Sequence, residues 1–244
     1  MIFALAARAL GLHMLDFSKA ELLTFDCYGT LIDWESGIFS ALKPTLAAHS
    51  KSISDAELLA LYGELEANIE GGVYLPYREV LRSVVRSFGE RLQFQPTQDE
   101  IDALPDSVPR WQPWPDTVAS LKRLARKFRL AIISNIDDDI FAQTKQWLPV
   151  EFESVTTAQQ ARCYKPGAEI FRMALKKASV PADEIVHVGQ SVYHDVLPAQ
   201  SFHLATVWVN RPSPRAGVGA VIEASGKPDL EVPDIATLAG RADC

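Results

Sequence analysis

Four short stretches of this 244-residue chain carry polar side chains at the edges of apolar runs. Asp26 follows Leu22 to Phe25, Ser134 and Asn135 follow Leu130 to Ile133, Lys165 precedes a helix, and Asp195 comes shortly after Ile185 to Val188. Together they offer two carboxylates, a hydroxyl with an amide, and one ammonium. An aspartate with a reference pKa of about 3.9 is almost wholly ionised at neutral pH, so it can attack an electrophilic carbon without an activating base. An ammonium beside it keeps that carboxylate charged even when partly buried. A lone aspartate at such a place reads as the cap of a turn; Lys165 and Asp195 turn the reading of Asp26 toward catalysis. Ser134 taken alone serves equally well as a strand-end hydroxyl satisfying backbone groups.

These residues can meet only if several strands end at one edge. In a doubly wound sheet, ligands bind outside the carboxyl ends of the strands, where the loops converge. From Trp34 to about Arg91 the pattern is helical: Ile38, Leu42 and Leu46 recur every four residues, Leu58, Leu61 and Leu65 by three and four, and Val80, Val84 and Val85 follow. A stretch rich in Pro, Trp and Asp over residues 105–115 ends that block.

Beyond it the texture alternates. A helix is predicted from Thr117 to Lys127 with Asp116 as its N-cap, then a strand at Leu130 to Ile133 and a helix to about Trp147. Ser154 to Thr157 is a strand candidate, Glu169 to Ala178 a helix, Ile185 to Val188 a strand, His194 to Phe202 a helical turn and Ala205 to Val209 a strand. Strands alternating with helices imply parallel βαβ units. The predicted fold class is therefore α/β: a Rossmann-like, doubly wound parallel sheet core at residues 16–33 and 113–244, with an inserted α-helical cap domain at 34–112. Residues 1–15 are set aside as an N-terminal extension, a peripheral helix or a start that properly lies at Met14. Residues 212–233 are expected to be irregular surface structure before a last helix near Ile235.

The segments FDCYGTLIDWE (25–35), IISN (132–135), CYKP (163–166) and HVGQSVYHD (187–195) together resemble the haloacid dehalogenase superfamily, over residues 17 to about 238. The resemblance implies an aspartate nucleophile, here Asp26. It would form an alkyl ester with the substrate, and water would then release a 2-hydroxy acid. By the same resemblance Lys165 stabilises the oxyanion of ester hydrolysis and Asp195 orients Lys165 or the water. Ser134 and Asn135, helped by Thr30, would hold the substrate carboxylate or the leaving group. Tyr28, Trp34, Arg78, Phe171, Gln190 and Ser191 complete the expected substrate-binding set.

Two substitutions separate this chain from the phosphatases of that superfamily. Tyr28 stands where they carry the aspartate that protonates a leaving alkoxide, and a phenol with a pKa near 10 is a poor replacement, whereas a halide needs no proton. Gln190 replaces the first carboxylate of their magnesium-binding GDxxxxD stretch, which here runs from Gly189 to Asp195. No metal and no other cofactor is expected. Both features resemble the L-2-haloacid dehalogenase branch, which makes a small-molecule carboxylate the expected substrate and a 2-haloacid the leading one.

The substrate-facing positions depart from that branch. Gly63, in LYGEL, stands where an arginine usually binds halide, Phe171 where a tyrosine is usual, and Gln190 and Val192 where serine and asparagine are usual. The chain is also similar to L-azetidine-2-carboxylate hydrolase, whose leaving group departs as a ring amine. Glu66, Glu70, Trp34 and Tyr74 are candidates to face such a cation, against an expectation that each Glu lies on a solvated helix face. Arg78 and Arg82, one turn apart, are candidates for the positive charge that Gly63 lacks. A magnesium-dependent phosphatase and a non-catalytic binding module on the same fold are the remaining alternatives. His194 is expected to brace its loop and His187 to lie in the core. Trp34, Trp111 and Trp114 should flank the core–cap junction, while Cys27 should point away from its neighbour Asp26.

Composition narrows the partners. With 24 Lys plus Arg against 31 Asp plus Glu, a net charge of −7 and no basic run, the chain lacks the footprint of a nucleic-acid binder. No apolar stretch approaches the roughly 20 residues that span a bilayer, so no membrane partner is expected. Cys27, Cys163 and Cys244 are widely spaced with no CxxC pair, which fits a reducing, cytoplasmic setting. The family resemblance suggests a homodimer, although the cap helices could equally serve as a monomer's lid.

Overall fold

The strand β1 (Leu22–Phe25) is buried at all four positions and pairs in parallel on both sides, with β2 (Arg129–Ser134) and with β4 (Ile185–Gly189). A strand covered on both edges and both faces must be apolar throughout rather than alternating, which is why LLTF is legible as an unbroken run. β3 (Ser154–Thr157) adds beyond β2, and β5 (Ala205–Val209) and β6 (Leu230–Val232) add beyond β4. The sheet is wholly parallel, in the order β3-β2-β1-β4-β5-β6. The computed structural model describes residues 15–212, 219–220, 222 and 224–244. The N-terminal extension, up to residue 14, lies outside the described residues, as does part of the stretch expected to be irregular.

That stretch holds one strand that pattern did not announce. β6 is three residues long, too short for any periodicity to register, and it forms because the edge of β5 offers unpaired backbone groups.

The cap inserted between β1 and β2 is built from α1 (Trp34–Ala48), α2 (Asp55–Glu70), α3 (Tyr77–Leu92) and α4 (Gln98–Ser107). The two chain crossings that join this cap to the core brace one another. Ile32 bridges Pro113, Asp33 N–H donates to Gln112 O at 2.8 Å, and Trp114 N–H donates to Leu31 O at 3.0 Å. In the core, α5 (Thr117–Leu124) precedes β2, and five further α-helices follow that strand among the described residues. They are α6 (Asp138–Thr144), α7 (Ala158–Ala161), α8 (Ala168–Lys177), α9 (Leu197–Ser201) and α10 (Ile235–Arg241). α5 packs on α10, while α8 packs on β2, β3 and α9. Among the described residues, no helix is long and apolar enough to cross a membrane.

Three cap helices carry their own N-terminal caps. Asp33 accepts from Ser36 N–H, and Ser54 with Glu57 and Thr97 with Glu100 form reciprocal capping boxes. α3 begins after Pro76 and has no side-chain cap of its own. Its first N–H groups are met instead by the core: Tyr77 N–H and Arg78 N–H donate to Asp137 Oδ1 and Oδ2 at 2.9 and 3.0 Å. Asp137, in the loop after β2, is buried there, so one carboxylate satisfies two orphan donors and the positive end of the α3 dipole. This contact ties the cap to the loop that also carries Ser134 and Asn135.

Removing it has a measurable cost. Asp137→Ala is expected to destabilise the protein by about 1–3 kcal/mol, the range for a lost cap with buried donors left unpaired. Asp137→Asn should recover part of that. Urea unfolding of the three proteins checks both, and an unchanged midpoint for the alanine variant would show that water replaces the carboxylate without loss.

Candidate active site

The end of β1 turns sharply. Gly29 has φ +94°, and a Cβ there would lie 2.1 Å from Gln190 Oε1, so neither the backbone nor the space admits another residue. Leu31 N–H and Ile32 N–H then donate back to Cys27 O, at 2.8 and 3.0 Å. The turn returns Thr30 beneath the strand end, where its hydroxyl donates to Asp26 Oδ2 at 2.7 Å and accepts from Gln190 N–H at 2.8 Å. Asp26 is held from behind by its own N–H, which donates to Val188 O.

Lys165 arrives from the loop after β3 and is 2% exposed. Its ammonium has three protons and three acceptors: Asp26 Oδ1 at 2.9 Å, Asp195 Oδ1 at 2.6 Å and Ile133 O at 3.0 Å. An ammonium so deeply buried is tolerable only when every donor is met and an opposite charge is adjacent. Asn135 holds the loop that delivers it, accepting from Lys165 N–H at 2.7 Å through Oδ1 and donating to Lys165 O through Nδ2.

Asp195 rises from a π-helical turn, Val192–Val196, at the end of β4. Besides Lys165 it accepts from Ser191 N–H at 3.2 Å and meets His187 Nε2 at 3.2 Å, while His187 Nδ1 meets the Thr24 hydroxyl at 2.9 Å. Gly189 leaves the room: a Cβ there would sit 2.4 Å from the Asp195 side chain.

The two carboxyls part company electrostatically. Burial pushes Asp26 above the ordinary carboxylate range, with Lys165 pulling it back and the charge of Asp195 adding to the rise. Burial opposes ionisation of Asp195 as well, but Lys165 and the His187 hydrogen bond outweigh it and hold this carboxyl well below that range. Burial likewise works against the Lys165 ammonium, and the two aspartates overcome it, so its pKa lies above the usual lysine value. Asp195 is thus the fixed counter-ion. Asp26 accepts one hydrogen bond per oxygen and keeps a lone pair on each for another partner.

These groups line a small cavity of about 50 Å³ between core and cap. Of the expected site residues, Asp26, Tyr28, Trp34, Ser134, Asn135, Lys165, Gln190, Ser191 and Asp195 all face it. Ser134 Oγ and Trp34 Nε1 are buried there without a hydrogen-bond partner among the described residues. The Tyr28 hydroxyl is engaged elsewhere, 2.7 Å from Thr144 Oγ1. A larger groove of about 710 Å³ between α1 and α4 holds none of this chemistry. A third cavity, about 390 Å³, shares Glu70, Lys165 and His194 with the site and lies against it.

Three expected residues, Arg78, Phe171 and Thr30, do not line the cavity. Arg78 turns to Asp139, 2.6 Å away, and Arg82 on the same helix pairs with Glu79 and Asp102. Phe171 is fully buried, edge-on to His187 and stacked on Phe202, so it is a core side chain. Thr30 is buried beneath Asp26 and acts through it.

The cap supplies what the sequence reading undervalued. Glu66 and Glu70, expected on a solvated face, both line the cavity, as do Tyr77 and His194. Glu66 is buried and accepts from the hydroxyls of Tyr62 and Tyr77, each at 2.7 Å; Glu70 accepts from Asn135 Nδ2 at 3.2 Å. Their spacing of four residues, with Tyr62 four before Glu66, was the available signal for one buried polar stripe. Gly63 also gains a reason: a Cβ there would lie 2.6 Å from Ala220 O, so no side chain fits at that position.

A family model for haloacid dehalogenase-like hydrolases matches residues 20–203. The haloacetate dehalogenase H-2 of Moraxella sp. (strain B) is 25% identical over 222 residues, spanning 88% of this chain and 94% of that protein. The solved L-2-haloacid dehalogenase of Xanthobacter autotrophicus with chloropropionic acid covalently bound superposes with a TM-score of 0.75 at 19% identity, covering 91% of this chain and 97% of that one. The magnesium-bound HAD-hydrolase YfnB of Bacillus subtilis superposes with a TM-score of 0.74 at 15% identity, covering 92% and 99%. Metal-bound and covalently alkylated relatives thus share one fold, and the choice between them falls to the side chains of the site.

His194 makes the site pH-sensitive. Burial pushes its imidazole down to about 4, against about 6.5 in an unfolded chain. As the pH falls, the unfolded chain takes up the proton first, so this contribution to stability is whole above pH 6.5 and is lost on the way to pH 4. A single proton limits the slope to about 1.4 kcal/mol per pH unit, and the partial solvent contact of His194 lowers it further. Relative to His194→Gln, the native protein should lose up to about 3 kcal/mol between pH 7 and pH 4. Raised carboxyls such as Asp26 act with the opposite sign, so the comparison between the two proteins in urea is the reading that counts. A pH-independent difference would remove His194 from the account.

Proposed function

The chain belongs to the haloacid dehalogenase-like hydrolases, and we propose that it is a metal-independent hydrolase whose Asp26 displaces a leaving group from C2 of a small 2-substituted carboxylic acid. The observation that carries this reading is the three-acceptor seat of Lys165, which leaves Asp26 ionisable, buried and facing the cavity. In the first step Asp26 forms an ester at C2 as the leaving group departs with its bonding electrons. In the second, water attacks the ester carbonyl, Lys165 stabilises the oxyanion on Asp26, and a 2-hydroxy acid leaves. Asp195 keeps Lys165 aimed. Ser134 Oγ and Trp34 Nε1, both donors without a partner, are suited to the substrate carboxylate or an anionic leaving group.

The residues present do not fit a magnesium site. That ion demands several hard oxygen ligands, whereas Asp26 and Asp195 already share an ammonium and Gln190 contributes only a neutral amide. Among the described residues no group of three or more His, Cys, Asp or Glu side chains is arranged to hold a metal ion.

Hydrolytic dehalogenation of a 2-haloacid is the leading reading, supported by the Moraxella relative's activity on haloacetate as its name gives it. Ring opening of azetidine-2-carboxylate is the second, favoured by Glu66 and Glu70 in the cavity wall and by the blocked position of Gly63.

Bromide release from racemic 2-bromopropionate in the presence of a chelator tests both the chemistry and the leaving group. The native protein should release bromide, and Asp26→Asn should be slower by at least about 1000-fold, as expected when a nucleophile is removed. Release that needs magnesium, or that survives in Asp26→Asn, would overturn the reading. Consumption of azetidine-2-carboxylate without bromide release would move the second reading to first.

A further inference from the structure

Displacement at C2 places nucleophile and leaving group on opposite sides of the reacting carbon. With Asp26 on the core side, the departing atom faces the cap, where Trp34, Glu66, Glu70 and Tyr77 line the wall. A halide asks nothing of that wall beyond a few polarised hydrogens. A ring oxygen leaves well only if it is protonated as the bond breaks, whereas a ring amine already carries its proton near neutral pH.

The cap holds one group able to do this. Tyr62 and Tyr77 both spend their hydroxyl protons on Glu66 Oε1, which makes Glu66 the acceptor of the pair. Glu70, one helical turn on, has a single hydrogen bond among the described residues, from the neutral amide of Asn135. Burial raises both carboxyls of this wall, and the one with two hydroxyl donors is the better placed to ionise, which favours a proton on its neighbour. The titratable and charged groups that share the two cavities of Glu70 are Glu66 on its own helix, Tyr77 on α3, Asp26, Asp195 and His194 across the first, and Tyr74, Arg162, Cys163, Tyr164, Lys165 and Tyr193 around the second. Burial pushes Glu70 well above the ordinary carboxyl range, the charge of Glu66 adds to the rise, and Lys165 opposes it. On the core side no acid competes, since the Tyr28 hydroxyl is turned to Thr144.

We propose that Glu70 donates the proton to the leaving atom, and that the site thereby accepts small strained-ring 2-carboxylates whose leaving atom is a ring oxygen. The proposal rests on the assignment of Asp26 as nucleophile. An unstrained ether or amine is not displaced by a carboxylate at a useful rate, so ring strain must supply the driving force, and a cavity of about 50 Å³ restricts the ring to a compact one. An Asp26 oxygen bonds to C2 as the bond from C2 to the ring heteroatom breaks. The bonding pair goes to the heteroatom, which takes the proton of Glu70. Water then attacks the Asp26 ester carbonyl, returning one proton to Glu70 while the other ends on the 2-hydroxyl of the product. Asp26 regains its carboxylate, and the sum is ring plus water.

The native protein, Glu70→Gln and Asp26→Asn are compared on oxirane-2-carboxylate and 2-bromopropionate. Glutamine keeps the acceptor for Asn135 but has no acidic proton. The native protein should open oxirane-2-carboxylate. Glu70→Gln should lower kcat on that substrate by about 100-fold or more beyond any effect on bromide release, the low end of what a general acid contributes. Ring opening by the native protein should also fall as the pH rises through the titration of Glu70, and this limb should vanish in Glu70→Gln. Equal loss on ring and halide substrates, or an alkaline limb that persists in the variant, would overturn the proposal. So would failure to open oxirane-2-carboxylate by protein that releases bromide, which leaves the Asp26 reading standing. Turnover that survives in Asp26→Asn would remove that reading and this one together.

Discussion

Everything at this site depends on one buried ammonium having three acceptors. Lys165 Nζ is met by Asp26 from the end of β1, Ile133 from β2 and Asp195 from the end of β4. Three neighbouring strands of a parallel sheet therefore converge on a single cation. Removing any carboxylate would strand charge where water cannot reach it, so the ends of these strands are bound to one another by electrostatic necessity as well as by the ladder. Gly29, Gly189 and the π-helical turn are the local deformations that let these side chains close on one point.

In the proposed reaction the core supplies the nucleophile, and the cap decides what can be displaced. The two are joined by polar contacts of unequal kind. Asp137 seats the first N–H groups of α3, a helix without a cap of its own, and Asn135 spans from the Lys165 loop to Glu70 on α2. Both contacts leave from the loop after β2, so the position of the leaving-group wall is referred to the same few residues that orient Lys165. Small shifts of α2 and α3 against this loop would change the chemistry of the wall without disturbing Asp26.

Much of the fold could be read from pattern because a parallel strand buried on both faces is a continuous apolar run, and Leu22–Phe25 and Ala205–Val209 have the bounds that their runs imply. The helical texture of the insert was equally plain. β6 escaped because three residues carry no period, and its pairing is decided by the edge of β5. Among the site residues, Asp26, Lys165 and Asp195 declared themselves because a charged residue at the end of an apolar strand has few structural excuses. Arg78 and Phe171 did not: one is drawn out to Asp139 and Asp106, and the other fits an aromatic gap between His187 and Phe202.

By itself, then, the sequence determined the sheet, the inserted helices and the carboxylate–ammonium–carboxylate centre, since each is written in local periodicity or in residues adjacent to a strand end. The tertiary structure alone decided the face of the cap that meets the centre. Glu66 and Glu70 lie on a helix whose pattern is compatible with solvent. They become part of a cavity only because Tyr62 and Tyr77 close over one and Asn135, more than sixty residues away in the chain, reaches the other. Burial of a polar residue depends on what is brought opposite it, and that partner is chosen by packing between distant segments, which no local spacing records.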